Sequence, residues 1–238
     1  MTFKPTYKLF GDSAILIEWP SQINELILCD ILYFKNEIEK NIQLKDCIVG
    51  YNSILLVYDF LIEDLASKIE SLHDLYKNKE MLGEIKNSHW KIPVCYDATF
   101  GVDLEYISKE LKRSIKEIIN LHAEAIYTVY FIGFLPGFLY LGGLNEQIII
   151  PRKGTPRLNV VKGAVAIGGN QTGVYPNESP GGWNIIGNSP ISFFDVQKEH
   201  PCFASPGDEI TFESVSLEEY QQIKDQVENN SYQIQQVK

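Results

Sequence analysis

Residues 131–187 read FIGFLPGFLYLGGLNEQIIIPRKGTPRLNVVKGAVAIGGNQTGVYPNESPGGWNIIG, and no other stretch constrains the chain as much. They hold 12 of the 17 glycines and, in Arg152 and Arg157, two of the three arginines. A flexible linker is rich in glycine but poor in Phe, Tyr, Ile and Val. Here the runs 147–150 and 164–167 are apolar, and Gly and Pro punctuate them. That pattern predicts short strands, tight turns and one packed face, in a β-rich domain whose loops carry the function.

The first section has a different texture. Residues 7–10 and 14–19 predict two strands joined through Gly11-Asp12, a turn pair. Ser21 offers an N-cap for a helix reaching about residue 39, strands follow at 46–51 and 53–60, and a second amphipathic helix runs over 62–76. This order predicts an α+β arrangement with helices on one face of a largely antiparallel sheet. The polar stretch 77–88 is the expected link, dividing the chain into domains 1–86 and 87–238. Beyond it come a strand at 90–95, helices at 103–111 and 114–124, and a strand opening at Ala125. Ser114 and Glu117 have capping-box spacing in the second of these helices. Closing strands are expected at 190–195 and 208–213, then a short helix from Leu217 and a polar, frayed end.

Residues 125–145 contain no charge, and a spanning helix needs roughly 20 such residues. Pro136-Gly137 and Gly142-Gly143 interrupt the segment, however, and Glu124 and Glu146 flank it. Buried strands around a turn, rather than a membrane span, are the expectation. A net charge of -10 and a pI near 4.9 argue against a nucleic-acid surface. Cys29, Cys47, Cys95 and Cys202 form no CxxC pair, and His73, His89, His122 and His200 lie at least 16 residues apart, so neither a metal site nor a disulfide framework is signalled. The first residues, MTFKPTYKLF, lack the apolar run of a signal peptide, and cytoplasmic residence is expected. No phosphate-binding loop, dinucleotide fingerprint, HExxH or GxSxG motif occurs.

The chemistry-bearing candidates lie in or beside the glycine-rich block. Residues 151–157, PRKGTPR, set three cations within six residues beside two prolines in an acidic chain. Arg152 and Arg157 there suit a carboxylate or phosphate, or simply solvate the loop and pair with acidic neighbours. Gly168-Gly169-Asn170-Gln171 is either a glycine hairpin or a set of backbone and side-chain amides, with Gln171 among them, that orients a polar substrate. Tyr175 and Trp183 are pocket walls or core residues. His122, at a helix end, is an acid/base candidate or a structural histidine.

The runs GFLPGFLYLGGL, PRKGTPR, GGNQTGVYPNESPGGWNIIGNSP and SPGD, with GDSAILIEW, IPVCYD and LHAEAIYTVYFIGF elsewhere, resemble the allophanate hydrolase subunit 1 family across nearly the whole chain. That family includes the B component of 5-oxoprolinase and a Kip-type inhibitor of a sporulation histidine kinase. The resemblance implies a small N-terminal α/β sandwich domain followed by a cyclophilin-like β-barrel. It implies one component of an ATP-dependent 5-oxoprolinase that opens 5-oxoproline to glutamate, inactive alone. The expected partners are a subunit 2-type protein (the C component) and the A component of that enzyme, with ATP handled by the assembled complex. The alternatives it leaves are a module that inhibits a histidine kinase and a component of another amide- or urea-handling hydrolase. For the site it implies catalytic roles for Arg152, Arg157, Gln171 and His122, substrate contacts from Tyr175, Trp183, Gly168 and Gly169, and no metal. Many relatives carry paired arginines where this chain has Arg152-Lys153.

Overall fold

A computed structural model describes residues 3–79 and 87–237, in two compact units, Met1–Lys86 and Asn87–Lys238. Most of the expected link, residues 80–86, lies outside the described residues.

The first unit comprises β1 (Thr6–Leu9), β2 (Ala14–Glu18), α1 (Glu25–Asn41), β3 (Asp46–Val49), β4 (Ser53–Val57) and α2 (Leu65–Lys77). Its strands pair antiparallel in the order β1-β2-β4-β3. Two periodicities build the core. Ile15, Ile17, Ile54 and Leu56 alternate along β2 and β4, and Ile27, Ile31, Phe34 and Ile38 recur at helical spacing along α1. Each such isoleucine, fully buried, stabilises the unit by about 1.5–3 kcal/mol relative to an exposed one. The helix begins later than Ser21 because Gln22 N–H closes a turn onto Pro20 O at 2.7 Å. Asn24 caps it instead, Oδ1 accepting from Leu26 N–H at 2.8 Å.

One carboxylate sits inside this unit. Asp30 accepts from Trp19 Nε1–H at 2.7 Å and from the Tyr76 hydroxyl at 2.5 Å, and its other oxygen pairs with Lys79 Nζ at 2.6 Å. The Lys79 ammonium also lies 3.3 Å from the Tyr76 ring centroid. A buried charge persists only when paired and hydrogen-bonded in this way.

The second unit comprises β5 (His89–Val94), α3 (Leu104–Leu111), α4 (Ile115–Ala123), β6 (Ile126–Ile132), β7 (Leu139–Gly142), a 3-10 turn (Glu146–Ile148), β8 (Arg157–Val160), β9 (Ala164–Gly168), β10 (Gln171–Val174), β11 (Ser179–Gly181), β12 (Asn184–Asn188), β13 (Glu209–Ser214), α5 (Leu217–Glu228) and β14 (Gln235–Val237). Eight strands form one sheet in the order β12-β9-β10-β7-β6-β13-β5-β14, and β11 and β8 pair separately. All its pairings are antiparallel except β13 with β5. The charge-free segment 125–145 is the β6–β7 hairpin, closed by Gly133 N–H to Phe138 O at 3.1 Å. Among the described residues no helix is long and apolar enough to cross a membrane. The capping box at Ser114 and Glu117 forms as expected.

Four expectations need correction. The sheet is open rather than a closed barrel. β14 pairs with residues 89–91 of β5, and Pro93 has no N–H to offer, so only Cys95, just past β5, bridges to Asn188 at the end of β12, through bonds of 2.9 and 3.0 Å. Residues 147–150 are not a strand: Asn145 Oδ1 caps Gln147 N–H at 3.0 Å and closes the 3-10 turn, leaving Ile150 as a single bridge to Gly169. Residues 190–195 form a loop, since Pro190 lacks a donor and Asp195 N–H turns to Pro201 O at 2.8 Å. The polar end is not wholly frayed, because β14 pairs onto β5.

Candidate functional site

The glycine-rich block folds around a cavity of about 320 Å³ lined by Phe134, Phe138, Tyr140, Arg152, Lys153, Pro156, Tyr175, Pro180, Gly181, Gly182 and Trp183. Phe138 and Tyr140 alternate at the start of β7 and so face the same way. The Phe138 ring meets those of Tyr140, Tyr175 and Trp183 at centroid distances of 4.7, 5.2 and 5.6 Å. Trp183 lies across Gly168, where an added Cβ would stand 2.5 Å from the indole, so β9 needs glycine there for this wall to sit flat. Gly168→Ala is expected to cost about 1–3 kcal/mol by overpacking and to displace the indole, which thermal melts and Trp fluorescence would register together. Phe134, 62% exposed with φ 67, closes the rim edge-on to Phe138.

The cations divide into two groups around Asp103, whose side chain is 4% exposed. Lys153 Nζ and Arg157 Nη2 donate to Asp103 Oδ1 at 2.8 and 2.7 Å, and Ile185 N–H donates to Oδ2 at 2.7 Å. The Asp103 backbone N–H donates in turn to Ile185 O at 2.9 Å. Asp103 thereby fastens the start of α3 and the 151–157 loop to β12. Burial alone would raise its pKa, but the bonds from Arg157, Lys153 and Ile185 outweigh it and hold the carboxyl below the usual range. Arg157 Nη1 is buried and finds no hydrogen-bond partner among the described residues. Arg152 stands apart, its guanidinium carbon 5.3 Å from the Trp183 ring centroid. Burial pushes the Tyr140 and Tyr175 phenols up, and the Arg152 charge acts on both in the opposite sense.

Of the residues anticipated from sequence, Arg152, Tyr175 and Trp183 meet at the cavity, with Gly168 behind the indole. Arg157 is committed to Asp103 and does not line it. Gln171 is buried in β10, and Gly169 is the β9–β10 turn residue, φ 72, with its N–H donated to Ile150 O at 2.8 Å. That amide is spent within the sheet rather than presented to a substrate.

His122 is 0% exposed, stacked on Phe212 and bonded at Nδ1 to the Tyr96 hydroxyl and at Nε2 to Thr172 Oγ1, each at 2.8 Å. Burial pulls its pKa down to about 3, so it is neutral in the folded state. Because the unfolded chain takes up this proton from about pH 6.5 downward, its full contribution holds above that pH. Stability then declines by about 1.4 kcal/mol per pH unit as pH falls toward the folded value. His122→Asn is expected to flatten that dependence between pH 6.5 and about 4, measured by denaturant unfolding across pH.

Sequence reasoning missed Asp103, Phe138, Tyr140 and Phe134. The two-residue alternation of Phe138 and Tyr140 was a usable signal. Asp103 had none, since its partners lie 50, 54 and 82 positions away.

This mixed α/β fold is of the carboxyltransferase type. It superposes on the crystal structure of the Kluyveromyces lactis urea amidolyase with a TM-score of 0.82 and 20% identity, over 99% of this chain and 16% of that one. The chain belongs to the carboxyltransferase domain family, subdomains C and D, whose model matches residues 5–204. It is 35% identical to the B component of 5-oxoprolinase from Bacillus subtilis over 95% of this chain and 99% of that protein. It is 34% identical to the B component of 5-oxoprolinase from Haemophilus influenzae, over 85% and 94%.

Proposed function

We propose that this chain is the B component of an ATP-dependent 5-oxoprolinase that opens 5-oxoproline to glutamate together with the A component and the subunit 2-type C component. The observation that carries the reading is the full-length match to the Bacillus subtilis protein of that name, 35% identical over 99% of its length. A lactam carbonyl is a poor electrophile, and coupling to ATP supplies the activation that lets water attack it. The residues of this chain suit substrate positioning rather than nucleotide binding. The Gly169 amide is already bonded, and the start of α3, where a phosphate would be drawn, holds the Asp103 carboxylate. ATP therefore enters through a partner protein, and this chain alone turns nothing over. Cytoplasmic residence goes with ATP supply.

The test is ATP-dependent glutamate release from 5-oxoproline by the mixed components, with each omitted in turn. Release is expected to require this chain; full release without it would overturn the assignment.

A further inference from the structure

Arg152 is the cation at the cavity that has no carboxylate partner among the described residues. Lys153 and Arg157 share Asp103, leaving the three charges with a net of one positive. Arg152 instead stands against the Trp183 face, near the phenols of Tyr140 and Tyr175. A planar guanidinium held on an aromatic wall, on a loop whose Pro151 carbonyl is tied to Asn184 Nδ2 at 2.9 Å, keeps its donor fork available to an incoming anion. Phe138, Pro156 and Pro180 add apolar lining, and the Lys153 ammonium beside them is paired with Asp103. We propose that this cavity binds a small monocarboxylate carried on a compact ring, with Arg152 as the carboxylate anchor and Trp183 and Phe138 as the ring wall.

The ligand is named by the 5-oxoprolinase reading, on which that part rests: 5-oxoproline. A cavity of about 320 Å³ admits a five-membered lactam with its carboxylate and lies at the small end of ligand sites. Asp103 offsets one of the two cations it holds, so with Arg152 the cavity region carries a net of two positive charges, and Arg152 is the one not engaged by a carboxylate among the described residues. Asp103 is a positioning residue here, acting through the loop that carries Arg152.

Isothermal titration of the full chain with 5-oxoproline, its neutral carboxamide and 2-pyrrolidinone tests the proposal, alongside KM for 5-oxoproline in the reconstituted mixture. Loss of one charge-assisted contact predicts roughly 10- to 100-fold weaker binding of the carboxamide and the pyrrolidinone, and the same loss for 5-oxoproline in Arg152→Met. In the mixture Arg152→Met raises KM with little change in kcat, and Arg152→Lys falls between. Leu158→Ser, at a position 91% exposed on β8, is the control and leaves both readings unchanged. The proposal is overturned if the acid and the carboxamide bind alike, if Arg152→Met binds as the parent does, or if neither assay shows 5-oxoproline engaging this chain. Activity that needs the chain but ignores Arg152→Met removes the anchor and leaves the 5-oxoprolinase assignment standing. Activity that persists without the chain removes the assignment, and the titration then decides the carboxylate site by itself.

Discussion

Replacing Asp30 by alanine is expected to cost about 3–5 kcal/mol, the largest single effect in the first unit. The loss is not that of one ion pair. It leaves the Lys79 ammonium 7% exposed with no counter-charge among the described residues, strands the indole N–H of Trp19, and leaves the Tyr76 hydroxyl only the long contact to Phe3 O at 3.4 Å. A domain with only about 5–15 kcal/mol of total stability does not absorb such a change easily. The midpoint of urea unfolding should fall steeply in Asp30→Ala. Lys79→Met combined with Asp30→Ala should recover part of the loss, because removing both charges abolishes the uncompensated one. If the double variant is no more stable than Asp30→Ala, the stranded ammonium is not the main cost.

Asp103→Ala is expected to cost about 2–4 kcal/mol and, unlike the Asp30 change, to reach the cavity. Lys153 and Arg157 would face each other without their shared carboxylate, and Ile185 N–H would lose its acceptor. The partial exposure of both cations, 24% and 29%, places this below a fully buried pair. The pH dependence has a defined sign. Because the folded carboxyl is held below its ordinary 3.8, its contribution is complete above that pH and is lost as pH falls through the folded value. Comparing parent and variant by denaturant melts at pH 7 and in acid should show the gap closing as the parent carboxyl protonates. A gap unchanged down to the folded value would mean that packing, not charge, is what Asp103 supplies.

Near-neighbour patterns made much of this fold legible. The spacing of Ile27, Ile31, Phe34 and Ile38 could only be helical, and the alternation of Ile15 with Ile17 could only be a half-buried strand. Ser114 and Glu117 announced a helix start through contacts three residues apart. The cavity was half legible for the same reason: Tyr175, Trp183 and Arg152 lie within one glycine-rich block, where close backbone approach is evident from composition. His122 was ambiguous because an isolated imidazole looks the same in sequence whether it meets substrate or, as here, Tyr96, Thr172 and Phe212.

By itself, then, the sequence determined most of the helices and strands, which of their faces are apolar, and which block builds the site, because each depends on residues close in the chain. Tertiary structure alone decided which arginine is free. Asp103 precedes Arg157 by 54 positions and Ile185 by 82, yet it neutralises one and bonds the other. It likewise decided that the sheet stays open, since β14 returns from the far end of the chain to occupy the edge of β5. Pairings at such separations are set by how the packed elements meet, and no local pattern of residue types records them.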